Sequence, residues 1–248
     1  MPKAKRLRVF AGPNGSGKST LFEDIHRKFD TGYFVNSDMI ETEICSTGFV
    51  NLEKFGLSLT EEDLQTFFQE PNAQSLLKKS ELEGHAINIE IKENVIVDKS
   101  DDTHSYEASL ITSFIRKHLL KKGISYSFET VMSHISKLDE IRDAMELGYK
   151  TYLYFVCLDD IQLNISRVQN RVKKGGHAVP QNKIIERYTR TLDNLLPAVL
   201  LAEKTYLFDN SGEKMLLIAE VQEGQLTILL EEEKLPNWFI EYIVNKME

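Results

Sequence analysis

Residues 12–19, GPNGSGKS, fit the pattern GxxxxGK[ST] and directly follow the apolar run LRVFA at residues 7–11. A strand, a glycine-rich turn and a helix start in that order leave few folds open, because the pattern carries a mechanism only in that context. Gly12, Gly15 and Gly17 let the backbone turn its amides toward a polyphosphate. Lys18 would reach the β- and γ-phosphates as a point charge, and Ser19 would ligate Mg²⁺ through its hydroxyl. The helix from Thr20 onward would aim its positive dipole end at the same anion. The whole loop, Gly12, Pro13, Asn14, Gly15, Ser16, Gly17, Lys18, Ser19 and Thr20, is therefore expected to bind ATP with Mg²⁺.

Downstream, short β-rich runs alternate with amphipathic patterns, the signature of a parallel sheet covered by helices on both faces. The runs are LRVFA, YFVN at 33–36, SYSFET at 125–130, KTYLYFVCL at 150–158 and TYLFDN at 205–210. Helical stretches such as SKLDEIRDAMELG and DIQLNISRVQNRV separate the last three. The expected fold is an α/β P-loop kinase core of three αβα layers around a mainly parallel five-stranded sheet. After Ser211 the pattern changes to an antiparallel hairpin, KMLLIAEV and LTILLE around QEGQ, and then a closing helix, LPNWFIEYIVNKM, in which Trp238 packs. Residues 48–103 break the alternation. They carry their own helix start, Thr60 with Asp63 three residues on, and the alternating run AINIEIKENVIV. The expected organisation is a core of 1–47 and 104–211, an inserted α+β segment of 48–103, and a C-terminal hairpin and helix of 212–248.

Composition narrows the partners. A net charge of −8 argues against a broad nucleic-acid or anionic-membrane surface, since either would need a positive face. No apolar run approaches the length of a membrane span, and the basic N-terminus has no signal-length apolar stretch behind it. The two cysteines, Cys45 and Cys157, have apolar or helix-forming neighbours and read as small buried hydrophobes. The chain is expected to be cytoplasmic and reduced.

Three further points bear on chemistry. The strand ending before Ser37-Asp38 puts a carboxylate at the C-terminal edge of the sheet, where ligands bind in open α/β folds. Asp38 is thus a candidate base for an acceptor hydroxyl, its alternative role being a helix cap. Glu129 and Thr130 end the third run at the same edge and are candidates for acceptor binding, Glu129 alternatively for holding a magnesium-bound water. Arg167 and Arg171, spaced i,i+4 ahead of Gly175-Gly176, have the layout of a lid that delivers charge to a phosphoryl group in flight. Arg187 and Arg190 follow on the next helix, and His177 lies between.

The motifs AGPNGSGKSTLF, YFVNSDMI, SFETVMS, RVQNRVKKGGHAVP and RYTRTLDNL with YLFDNS together resemble the zeta toxin family of P-loop kinases, in particular the bacterial branch labelled predicted ABC-type ATPases. The resemblance spans residues 6–47 and about 105–211. It implies that Lys18 and Ser19 hold ATP and magnesium, that Asp38 is the base, that Glu129 helps bind the acceptor, and that Arg167 with a second lid cation stabilises the transferred phosphoryl. Arg171, His177 and Arg187 all compete for that second place. Toxins of the family phosphorylate a sugar hydroxyl of UDP-N-acetylglucosamine and are restrained by an antitoxin, so a small-molecule acceptor such as a nucleotide sugar and an antitoxin protein are implied partners. Rival ATPase and GTPase readings lack their marks: no LSGGQ signature follows LYFVCLDD, and there is no NKxD. A protein that binds ATP without transferring phosphate stays open.

Overall fold

The computed structural model describes residues 4–100, 104–175 and 178–247. The chain divides into two compact units, one made of 1–32 and 127–248 and the other of 33–126.

The first unit is built on β1 (Arg6–Ala11), most of β6 (Tyr126–Thr130), β7 (Lys150–Cys157), β8 (Lys204–Asp209), β9 (Leu216–Gln222) and β10 (Gln225–Ile228), in the spatial order β10-β9-β8-β7-β1-β6. β1 runs parallel to β7, and β7 parallel to β8. β9 and β10 then extend the sheet as the expected antiparallel hairpin. Five consecutive residues of β1, Leu7 through Ala11, are buried, as a central strand covered on both faces requires. Around the sheet lie α1 (Lys18–His26), α6 (Ser136–Glu146), α7 (Ile161–Lys173), α8 (Gln181–Asp193) and α9 (Leu195–Leu201). Asp160 caps α7, its carboxylate accepting from Gln162 N at 2.8 Å. The closing helix, residues 237–247, is α-helical at its two ends and π-helical over Ile240–Val244.

The second unit holds β2 (Tyr33–Val35), α2 (Ser37–Thr47), β3 (Phe49–Asn51), α3 (Glu61–Phe68), α4 (Pro71–Leu82), β4 (Ile89–Lys92), β5 (Val95–Asp98) and α5 (Ser105–Lys121). β3, β5 and β4 form a separate antiparallel sheet. The run AINIEIKENVIV is not one strand. Glu93 and Asn94 both adopt left-handed backbone, φ 48° and 64°, and fold it into a hairpin. The expected Thr60–Asp63 capping box forms, with Thr60 N donating to the Asp63 carboxylate at 2.8 Å. This unit is wider than segment 48–103 because α5 packs on that segment: Phe67 of α3 meets Phe114 of α5 edge-on at 5.4 Å. Cys157 is buried as expected, whereas Cys45 is exposed, because its position on α2 faces away from the buried Ile40 and Ile44. Both cysteines are free thiols. Among the described residues no helix is long and apolar enough to cross a membrane.

Candidate functional site

β1 ends at Ala11 and α1 begins at Lys18, so the loop between them is Gly12–Gly17. At all three of its glycines a side chain is excluded: a Cβ on Gly15, φ 74°, would lie 2.8 Å from the Asn164 carbonyl oxygen. A Cβ on Gly12, φ 141°, would lie 2.0 Å from the Val156 carbonyl oxygen at the end of β7. One on Gly17, φ 107°, would lie 2.5 Å from Asn210 Nδ2 just beyond β8. The loop carbonyls are braced from the protein side. Asn164 Nδ2 on α7 donates to Asn14 O at 2.7 Å, Asn210 Nδ2 to Ser16 O at 2.8 Å, and Lys18 Nζ to Pro13 O at 2.9 Å. A trans peptide holds its carbonyl and the following N–H on opposite sides. Bracing Asn14 O and Ser16 O therefore turns the Gly15 and Gly17 amides the other way. α1 adds its N-terminus, which has neither a side-chain cap nor an acidic residue in its first turn.

Glu129 and Thr130 close β6. Ser19 Oγ donates to Glu129 Oε2 at 3.3 Å, so hydroxyl and carboxylate face each other at the start of α1. Thr130 Oγ1 accepts from Met132 N at 2.9 Å within a turn in which Met132 has φ 60°. That turn is held from α8 and its end: Asn194 Nδ2 donates to Met132 O at 2.9 Å. Thr191 Oγ1 is 2.8 Å from Val131 O and 2.6 Å from Arg187 O, and its one proton serves a single acceptor at a time.

The arginines differ in setting. Half-buried Arg167 donates from Nη2 to Asn210 O at 2.9 Å. Arg171, one turn on, is exposed, and Arg187 on α8 is half-buried. Arg190 is exposed and pairs with Glu186 at 2.6 Å. Ile165 and Val168 of α7 pack on Ile184 of α8, which makes the arginine-bearing segment a packed helical pair. Gly176 and His177 lie outside the described residues.

Asp38 belongs to the second unit, where it is the second residue of α2 and exposed. Asn36 is the cap of that helix, its Oδ1 accepting from Met39 N at 3.1 Å. The carboxylate of Asp38 is not used as the cap.

The carboxylates just beyond β7 and at the end of β8 are held by the tail. Asp159 accepts from Trp238 N at 2.9 Å and from Asn237 Nδ2 at 2.7 Å. Asp209 Oδ1 accepts from Trp238 Nε1 at 3.0 Å and from Ser211 Oγ at 2.8 Å. Trp238 is thus packed, as its apolar neighbours predict, and a double donor as well. Nearby, burial pushes the Cys157 thiol and the Tyr188 phenol up from their ordinary values. The Tyr188 hydroxyl donates to Leu158 O at 2.7 Å.

Asn164, Asn210, Thr191 and Asn194 carry structural duties that the motif spacing does not reveal. The donor set fits a magnesium polyphosphate: outward amides in a cradle closed to side chains, one ammonium, and a hydroxyl and carboxylate as hard oxygen donors. Among the described residues no group of three or more His, Cys, Asp or Glu could hold a metal by itself.

Comparison with known proteins gives three results. The pattern of the family described as Zeta toxin matches residues 89–220. An uncharacterized protein of Haemophilus influenzae (strain ATCC 51907 / DSM 11121 / KW20 / Rd) is 28% identical over 69 residues, 28% of this chain and 49% of that protein. The native AvrRxo1-ORF1:-ORF2 complex aligns with a TM-score of 0.53 at 16% identity, over 96% of this chain and 65% of that one. The AvrRxo1-ORF1:-ORF2 structure with ATP aligns with a TM-score of 0.52 at 16% identity, over 92% and 61%. The chain thus spans about half the length of the curated relative and under two thirds of these structural ones. At such identity the structural likeness speaks for the fold, a mixed α/β architecture with a mostly parallel central sheet.

Proposed function

This chain belongs to the Zeta toxin family, and from that premise we propose that it is an ATP-dependent phosphotransferase that moves the γ-phosphate of ATP to a hydroxyl of a small molecule. The observation that carries the reading is the braced loop, with its Gly15 and Gly17 amides turned outward beside Lys18 and the Ser19–Glu129 pair. Support for ATP as donor comes from the likeness to a fold described with ATP.

In this reading the loop amides and Lys18 bind the β- and γ-phosphates, and Ser19 with Glu129 holds magnesium. The metal, when bound, offsets phosphate charge. Asp38 takes the proton of the acceptor hydroxyl as the acceptor oxygen bonds to the γ-phosphorus and the bridging oxygen leaves with ADP. Arg167 has five donors and spends one on Asn210 O. Arg167, with Arg171, His177 or Arg187 as the second cation, neutralises the phosphoryl group in transit. Glu129 and Thr130 contribute to acceptor binding. The acceptor class is a nucleotide sugar such as UDP-N-acetylglucosamine, and an antitoxin is the protein partner; the family supports both, and the ORF1:-ORF2 complexes support a partner.

Incubating the full chain with γ-labelled ATP and fractionated metabolites tests the reading. Label appearing in a phosphomonoester of a small molecule, and lost with Lys18→Ala, is the expected result. Release of inorganic phosphate alone, with every fraction, would overturn it.

A further inference from the structure

Asn210 touches three segments of the first unit, and its neighbour Asp209 a fourth. Its N–H donates to Cys157 O at 2.9 Å, tying it to the end of β7. Its Nδ2 donates to Ser16 O at 2.8 Å in the loop. Its carbonyl receives Arg167 Nη2 at 2.9 Å from α7. Its neighbour Asp209 is gripped by Trp238 Nε1 of the closing helix and by Ser211 Oγ.

The bond to Ser16 O acts on the peptide that joins Ser16 to Gly17. Gly17 is left-handed at φ 107° and lacks the Cβ that restrains most residues, so this peptide can rotate at little cost unless something holds its carbonyl. Rotation would turn the Gly17 amide away from the face that the loop presents. The same residue fixes Arg167, so the amide and the guanidinium are referenced to one atom group rather than to separate parts of the fold.

We propose that Asn210 is a positioning residue: its side-chain amide sets the Ser16–Gly17 peptide, its carbonyl sets Arg167, and Trp238 holds its loop through Asp209. The assignment rests on the reading of this loop as the phosphate site. It gives the tail, most of which lies beyond the matched residues 89–220, a task at that site.

The test compares the full chain with Asn210→Ala and Asn210→Asp. Alanine removes the donor, and aspartate, of the same shape, replaces it with an acceptor facing Ser16 O. Without nucleotide, amide hydrogen exchange in the peptide spanning 11–20 should quicken on the order of tenfold in the alanine variant and more in the aspartate variant, while β7 and β8 keep their protection. With ATP, turnover should fall on the order of 10²-fold as the loop is misplaced, with the Michaelis constant changing far less. Unchanged exchange in both variants, or an aspartate variant that behaves like asparagine, overturns the proposal. Should the Asn210 variants not fold, Trp238→Phe keeps the packed ring, removes the donor to Asp209, and is judged by the same two readouts. A wild-type chain that consumes no ATP tells against the phosphotransferase reading, and loop exchange then decides the role of Asn210 by itself.

Discussion

Ser19 Oγ meets Glu129 Oε2 at 3.3 Å across 110 residues of chain. The contact brings the hydroxyl of the glycine-rich loop motif to a carboxylate at the end of another strand, as an oxygen-liganded cation between them requires. Glu129→Gln should therefore keep ATP binding in the absence of metal and weaken its enhancement by Mg²⁺ several-fold. Titration calorimetry with and without the metal checks this, and an unaltered metal response would remove Glu129 from that role.

Lys18→Ala deletes the one ammonium of the loop while sparing its glycines. Losing a charge-assisted bond to phosphate should weaken ATP affinity roughly tenfold to a hundredfold, with circular dichroism and thermal unfolding unchanged. Equal affinity by calorimetry would show that Lys18 does not touch the nucleotide.

Asp38→Asn keeps shape and removes the proton acceptor. Because Asn36 already caps α2, the variant should keep its stability, while phosphoryl transfer falls by ~10² or more at little cost in ATP affinity. Single-turnover rates decide it.

The four arginines should separate cleanly. Arg167→Ala is expected to lower the turnover number more than it raises the Michaelis constant for ATP. Arg190→Ala, which breaks only the exposed pair with Glu186, should leave turnover intact and change stability by at most about 0.5 kcal/mol. Whichever of Arg171→Ala, His177→Ala and Arg187→Ala reproduces the Arg167→Ala pattern identifies the second cation.

His118 gives the second unit a pH dependence. Burial, with a smaller contribution from Lys121, lowers its pKa to about 4 from an ordinary 6.5, while Asp63 works in the opposite direction. The folded state thus disfavours the protonated ring, whose neighbours include Phe114 at 4.5 Å. The unfolded chain binds the extra proton between these values. The stabilisation is complete above about pH 6.5 and is lost as pH falls toward about 4. Denaturant midpoints across that window should drop with acid, and His118→Leu should flatten this part of the profile.

The sequence carried the local features well. The loop motif, the Thr60–Asp63 box and the strand runs depend on residues a few positions apart, and each forms as spacing dictates. What it hid is long-range or ambiguous in type. Asn164 and Asn210 read as ordinary polar residues until the fold delivers their amides to the carbonyls of Asn14 and Ser16. The β4–β5 hairpin escaped notice because Glu93, rather than glycine, takes the left-handed position before Asn94. Asp38 could have been a helix cap by composition, and the backbone geometry instead awards that place to Asn36, which the sequence did not single out.

The chain enters the second unit at Tyr33 and leaves it at Tyr126, and Tyr33 N donates to Ser125 O at 3.2 Å, so entrance and exit are fastened together. That bond has a kinetic meaning. Before the second unit is compact, pairing β1 with β7 must close a loop containing all of 33–126. Afterward the same segment behaves as a tight connection. Each halving of effective loop length saves about 0.6 kcal/mol of closure entropy, so prior collapse of the second unit speeds the search of the first, and the phosphate loop should be among the last parts to acquire its final shape.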